Sequence, residues 1–149
     1  MVYRDMVKRG QKLVGGDREW YMINRLKCTG DGCGRIHRQL TDSMVPYKQY
    51  SGEVVEDVVD DVVTESDPVS YPCEKTMNLW RWWYLVNHTQ MEGQLRSAGY
   101  RHLDFGSEFL KSGVSLLDEL KNRISPGWLM VVTRIFTNTG GRFLTVPAW

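Results

Sequence analysis

The sequence predicts an α+β fold that is mostly α-helical, with an N-terminal β-hairpin followed by a helical bundle of the helix-turn-helix type. Three observations favour it: a glycine turn between two strand-like segments, a valine stripe at helical spacing, and further apolar-periodic segments up to residue 137. The chain has 149 residues, 42% of them hydrophobic, which is enough to bury a core without disulfides. We therefore expect a degenerate zinc-ribbon hairpin with its linker at residues 1–50 and a helical domain at residues 51–149.

Residues 3–28 are typical of a β-hairpin. Gly15 and Gly16 supply the positive φ angles that a tight turn needs, and Asp17 is a third turn-forming residue. The segment from Trp20 to Cys28 is rich in aromatic and β-favouring residues, whereas residues 3–13 are polar and alternate only weakly.

Residues 51–63 give the clearest helical pattern. Ser51 is a suitable N-cap, and the acidic residues between 53 and 61 are expected on a solvated face. A second helix is predicted from near Pro72 to just before Gly99, a third from Glu108 to Ile124, and a last one from Trp128 to about Thr137. The buried stripe of the first helix is predicted to consist of Val54, Val55, Val58, Val59, Val62 and Val63.

The sharpest local motif holds Cys28 and Cys33, separated by four residues and followed by His37. Small residues between two cysteines let both sulfurs face one point, as in a zinc-ribbon knuckle, but a structural zinc site needs four ligands. We therefore expect no zinc, or at best substoichiometric zinc, with these three residues as the candidate ligands. A homodimer that shares one metal across two chains is an alternative.

Charge and cysteine content narrow the class of protein. The net charge of +1 divides into +5 over residues 1–50, −7 over residues 51–70 and +3 over residues 71–149. The basic N-terminal part is suited to bind the phosphates of a nucleic acid. No run of 18 apolar residues, no apolar leader segment and only three cysteines are present, so a cytoplasmic protein without a membrane span is expected.

No catalytic constellation is apparent. His88 and His102 are isolated, and the glycine pair at 15–16 joins two strand-like segments rather than a strand and a helix, so it is not a phosphate-cradling loop. Cys73 lacks a paired histidine. We therefore expect a non-enzymatic binding protein.

Two blocks of sequence suggest a family. The first runs from Arg25 through both cysteines to the Val45-Pro46-Tyr47-Lys48 segment and Ser51, and the second from Tyr71 to Trp83. Together they resemble an uncharacterised family of zinc-ribbon and helix-turn-helix-like proteins from Gram-positive bacterial mobile elements, similar to the N-terminal regions of transposases. The family's first Cys-x-x-Cys knuckle, which precedes the position of Tyr3, is missing here.

This resemblance implies a DNA-binding accessory or regulatory protein whose partner is double-stranded DNA. In a helix-turn-helix the first turns of the second helix enter the major groove. Residues near the start of the second helix would then face the bases, and basic residues of the hairpin would bind phosphate. The base-facing candidates are Glu74, Lys75, Thr76, Asn78 and Arg81, and the phosphate-binding candidates are Lys8, Arg9, Lys12, Arg25, Lys27, Arg35 and Arg38.

Two other interpretations stay open. Six tryptophans exceed what one small core usually needs. Trp80 fits the core stripe, whereas Trp82 and Trp83 point elsewhere, so at least one of these two is expected to be exposed. A mobile-element or phage inhibitor that binds a host nucleoprotein, as an anti-CRISPR protein does, would use Trp82, Trp83 and the acidic helix. A transposon remnant without present function is the third interpretation.

Overall fold

The computed structural model describes residues 1–63, 69–111 and 113–145. It begins with an antiparallel three-stranded sheet in the order β1-β2-β3, formed by Val2–Lys12, Arg18–Lys27 and Ile36–Arg38. Helices follow, so the α+β class is confirmed. They are α1 Gly52–Val59, α2 Glu74–Gln94, α3 Tyr100–His102, α4 Glu108–Lys111, α5 Leu116–Ile124 and α6 Trp128–Asn138, with a π-helical turn at Leu95–Gly99 between α2 and α3.

The predicted hairpin is present, with a turn at Gly15 and Gly16, whose φ angles are 88° and 89°. Positive φ is strained for residues with a Cβ, so glycine suits both positions. The third strand was not predicted, because it is only three residues long and polar. It pairs with the end of β2 through Ile36 opposite Lys27.

One face of the sheet is covered by the segment that leads into α1. Gln11 and Ile23 are buried on that face. The Gln11 side-chain amide donates to the Ser43 carbonyl over 2.8 Å, and the Ser51 N–H donates to the Lys12 carbonyl over 2.8 Å. Because the second of these bonds crosses residue 50, the hairpin and the start of the helical part are directly connected. The predicted boundary at residue 50 stays a prediction.

Helix α1 is capped as predicted, since the Ser51 hydroxyl accepts from the Val54 N–H over 3.3 Å. Its end was predicted wrongly: it stops at Val59 rather than Val63. Asp61 adopts a φ of 55°, and the Val62 N–H donates to the Asp57 carbonyl over 2.9 Å, which is a Schellman ending. This turn leaves the Val62 side chain 70% exposed, outside the stripe.

The core lies between α1, α2, α5 and α6. Val54, Val55 and Val58 face it from α1, as predicted, and Val59 is half-buried. The helix predicted from Glu108 to Ile124 is instead two helices, α4 and α5. The Ser115 hydroxyl accepts from the Asp118 N–H and begins α5 afresh. Large core side chains include Trp80, Trp83, Met91, Leu116, Leu120, Trp128, Leu129 and Phe136.

The helix-turn-helix character of the bundle is not confirmed. Residues 60–73 connect α1 to α2, whereas the motif joins its two helices by three or four residues. Among the helices that the structure describes, four residues separate α4 from α5 and three residues, 125–127, separate α5 from α6. Within the described ranges, no helix is both long and apolar enough to cross a membrane.

Candidate nucleic-acid interface

The sheet face opposite the covered one is open to solvent. Partners in an antiparallel ladder share a face and neighbours along a strand alternate, so the register defines the members of this face. Four of its apolar side chains are half exposed or more: Tyr3, Met6, Trp20 and Met22. We call this surface the open sheet face; its strand residues are Tyr3, Met6, Lys8, Gly10, Lys12, Arg18, Trp20, Met22, Asn24, Leu26 and His37.

Its charges are all of one sign. The open sheet face holds lysine and arginine side chains, whereas the strand carboxylates Asp5 and Glu19 lie on the covered face. The Lys8 ammonium lies 4.7 Å from the centroid of the Trp20 ring, and the Arg18 guanidinium lies 5.6 Å from it. The exposed Trp20 indole is therefore flanked by two cations. Such a surface can bind a polyanion that carries apolar groups between its charges.

Cations predicted to bind phosphate divide into three groups. Lys8 and Lys12 lie on the open sheet face. Arg9 and Arg25 lie on the other face, where Arg9 donates to the Lys48 carbonyl over 2.6 Å and Arg25 forms an ion pair with Asp5. Both of these arginines therefore have internal partners. The side chains of Lys27, Arg35 and Arg38 are exposed near the β2–β3 end of the sheet.

The cysteine knuckle forms a tight loop between β2 and β3. The Cys28 N–H donates to the Arg35 carbonyl over 2.8 Å, and the Cys33 N–H donates to the Gly30 carbonyl over 3.0 Å. A hydrogen bond from the Arg35 backbone and a second one from the Cys28 thiol lower the pKa of Cys33. The two thiols are therefore neighbours.

A structural zinc ion does not fit these residues. No cluster of three or more His, Cys, Asp or Glu side chains suited to a metal occurs in the part of the chain that the structure describes. His37, the predicted third ligand, stands in β3 opposite Leu26 and does not complete a site with Cys28 and Cys33. Two thiols alone do not supply the tetrahedral set that zinc requires.

The predicted base-facing segment lies at the start of α2, where Cys73 is the N-cap. Glu74, Lys75 and Asn78 are exposed. Arg81 is less available, because its guanidinium donates to Asp61 over 2.7 Å and to Asn78 over 3.1 Å. Thr76 is half-buried, and its hydroxyl lies 3.5 Å from the Cys73 sulfur.

The two tryptophans predicted to bind a protein differ in exposure. Trp83 is only 4% exposed, and its ring centroid lies 5.2 Å from that of Phe143. It therefore belongs to the core and cannot bind a protein partner at the surface. Trp82 is 52% exposed, and Leu85 beside it on α2 is 62% exposed. Residues three apart on a helix are neighbours, so these two form a small apolar patch.

The acidic face of α1 was predicted to be solvated, and for Glu56 and Asp60 this is wrong. The Glu56 carboxylate is buried and accepts from the backbone N–H groups of Gly127 and Leu129. Asp60 accepts from the Trp128 indole N–H over 2.7 Å and from the Lys121 ammonium over 2.8 Å. These carboxylates hold α6 in place, so they are not free to contact a partner.

Sequence reasoning missed Arg18, Trp20 and Met22 as site residues. No alternation in the sequence marks them, because Trp20 to Ile23 are four consecutive large apolar or aromatic residues, of which only Ile23 is buried. Which face of the sheet is open depends on residues 43–51, which cover the opposite face.

Comparison with protein-family models identifies an uncharacterised domain. A family model described as "Domain of unknown function (DUF6431)" matches residues 1–82, which include the sheet, α1 and the first part of α2. Searches of the curated proteins and of the solved structures each found no significant match. The matched segment is more than half of the 149 residues, so this chain belongs to the family of the domain of unknown function DUF6431.

Proposed function

We propose that this protein is a non-enzymatic DNA-binding protein that uses the open sheet face as its DNA-binding surface. The observation that supports the proposal most is the composition of that face: cations and exposed apolar side chains, with the strand carboxylates on the other side. Lys8, Lys12 and Arg18 would neutralise phosphates, and counterion release would supply much of the affinity.

A two-stranded β-ribbon fits the major groove of B-DNA, and several DNA-binding proteins read bases with strands. Strands β1 and β2 form such a ribbon, 11 and 10 residues long. In this arrangement Met22 and Trp20 would supply apolar contact to base edges such as the thymine methyl group, with cations on either side.

Helical alternatives have less support. The first turn of α6 follows a short connection from α5, but its residues Trp128 and Leu129 are fully buried. The backbone N–H groups of Gly127 and Leu129 already donate to Glu56. At the start of α2, Arg81 is paired with Asp61. We therefore propose that Lys75, Arg35 and Arg38, which are exposed, contribute phosphate contacts outside the sheet face.

The biological setting is proposed from the sequence resemblance. The blocks around Cys28–Ser51 and Tyr71–Trp83 resemble mobile-element proteins that are similar to transposase N-terminal regions. We infer an accessory or regulatory role on element DNA in the cytoplasm.

The experiment is a titration of labelled random duplex, with single-stranded DNA of the same length in parallel, between about 50 and about 200 mM salt. The double variant Lys8→Ala with Arg18→Ala is compared with Arg101→Ala plus Lys111→Ala, two exposed cations on α3 and α4. Removing two phosphate contacts should reduce the slope of log K against log salt by about 1.8, because each contact contributes about 0.9.

The control pair removes the same charge and should leave that slope unchanged. Equal slopes for the two double variants would contradict the assignment of the sheet face. Binding of the single strand in preference to the duplex would contradict the major-groove arrangement and favour stacking of bases on Trp20.

A second candidate function has one observation in its favour. The Trp82–Leu85 patch on α2 is apolar and exposed, and tryptophan is enriched among residues that dominate protein interfaces. An inhibitor of a host nucleoprotein could bind through this patch. Such a function would require no affinity for free duplex.

A further inference from the structure

A cleft lies between the segment that precedes α1, the first half of α2 and residues 143–145. Its volume is about 480 Å³, within the range of small-molecule sites. Its aromatic lining residues include Tyr50, Trp80, Trp83 and Phe143, and Gln49 also lines it. The rings of Trp80 and Tyr50 pack edge to face with their centroids 5.2 Å apart, and the centroids of Trp83 and Phe143 are also 5.2 Å apart. Packing therefore holds the aromatic lining in place.

Lys48 also lines this cleft. Its ammonium lies 4.9 Å from the centroid of the Trp83 ring and 6.0 Å from that of Trp80. No carboxylate pairs with it among residues 1–63, 69–111 and 113–145. A cation over ring faces without a counterion is a ready partner for an anion.

Two further cations contact the segment that carries Lys48. The Arg9 guanidinium donates a hydrogen bond to the Lys48 carbonyl over 2.6 Å. The Lys12 ammonium lies 5.4 Å from the centroid of the Tyr50 ring. The ionisable groups on the same segment are the phenols of Tyr47 and Tyr50. Burial lowers the pKa of Lys48 to about 8, which is the direction expected of a desolvated cation without a carboxylate partner.

We propose that this cleft binds a small ligand in which one anionic group, a carboxylate or a phosphate, is attached to a flat aromatic ring. The anion would lie on the Lys48 ammonium, and the ring would contact Tyr50 and Phe143, the half-buried members of the aromatic lining. Two classes of ligand combine a flat aromatic ring with an anionic group: nucleotides and aromatic carboxylic acids. The proposal does not depend on DNA binding by the open sheet face.

The test is isothermal titration of the full chain with four probes: AMP, benzoate, adenosine and inorganic phosphate. AMP and benzoate each combine a ring with an anion, whereas adenosine lacks the charge and phosphate lacks the ring. At least one of the first two should bind at least about tenfold more tightly than adenosine and phosphate. Binding of AMP alone would identify the nucleotide as the source, and binding of benzoate alone would identify the carboxylic acid.

Two further measurements test the role of Lys48. Lys48→Met should weaken binding of the preferred probe at least about tenfold, whereas Lys111→Met, which removes an exposed lysine on α4, should not. In the wild type at pH 8, binding should take up about half a proton, because the anion draws Lys48 toward its charged form. This second readout needs no variant and is unaffected if Lys48→Met fails to fold.

Several results would overturn the proposal. They are equal affinity of all four probes, unchanged affinity in Lys48→Met, or binding at pH 8 without proton uptake. A loss of duplex binding in the sheet-face variant would leave these outcomes unaffected, so the two proposals fail separately.

Discussion

The carboxylate of Glu56 on α1 accepts a hydrogen bond from the backbone N–H of Leu129 at the start of α6, over 2.8 Å. Its other oxygen accepts from the Gly127 N–H over 2.6 Å. Gly127 occupies the N-cap position of α6 but has no side chain to cap with, so Glu56 supplies the missing acceptor from a distant part of the chain.

Glu56→Ala should therefore destabilise the protein by about 2 kcal/mol or more, because it leaves buried N–H groups without an acceptor. Denaturant unfolding followed by far-UV circular dichroism measures this change. Glu53→Ala is the matched control, since Glu53 is exposed on the same helix. Equal effects of the two substitutions would contradict the capping role.

Glu92 caps α5 in the same manner and gives a prediction about pH. Burial opposes its ionisation, but hydrogen bonds from the N–H groups of Leu116 and Leu117 outweigh this and lower its pKa below the ordinary 4.5. A lowered folded-state pKa means that the stabilisation is complete above about pH 4.5 and is lost as pH falls through the folded value. Glu92→Gln should therefore be less stable than the wild type at pH 7, by about 1–3 kcal/mol.

The difference between wild type and Glu92→Gln should shrink as the pH falls toward 3, which denaturant curves at several pH values would show. Glu53→Gln, at an exposed site, should show no such trend. A difference that is constant with pH would refute an ionic cap at Glu92.

Val58 and Val62 provide a direct test of the core. Val58 is fully buried, whereas Val62 is 70% exposed beyond the end of α1. Val58→Asp buries a charge without a partner and should unfold the domain, while Val62→Asp should change the free energy of unfolding by less than about 0.5 kcal/mol. A folded Val58→Asp protein with an unchanged melting temperature would show that the stripe is not core.

These residues also show how far the sequence could predict the structure. The hairpin turn and the Ser51 cap depend on local chemistry, and both were predicted correctly. The end of α1 was not, because valine periodicity continues to Val63 while the backbone turns at Asp61. Glu56 lies among polar neighbours on a helical wheel, so its burial depends on where α6 packs and could not be predicted from spacing.

The proposed site was predicted only in part for a similar reason. Lys8 and Lys12 were identified from charge, but Arg9 and Arg25 looked equivalent in sequence, although both have partners within the fold. Which strand positions face solvent depends on the segment at residues 43–51 that covers the other face.

Trp20→Ala should separate the proposed functions. If DNA binds to the open sheet face, removing this exposed indole should weaken duplex binding about tenfold, which corresponds to about 1.4 kcal/mol. If the partner is a protein at the α2 patch, Trp82→Ala should instead weaken complex formation by about 2 kcal/mol or more. Unchanged duplex affinity in Trp20→Ala would contradict a contact between this indole and DNA.

The contacts made by Glu56 and Asp60 have a consequence for the family to which the chain belongs. The shared segment ends at residue 82, inside α2, yet the groups that satisfy these two carboxylates, on Lys121 and residues 127–129, all lie beyond it. We therefore expect residues 1–82 alone to be less stable than the full chain, because these carboxylates would lose their partners. In this chain the shared segment is completed by donors on Lys121, Gly127, Trp128 and Leu129.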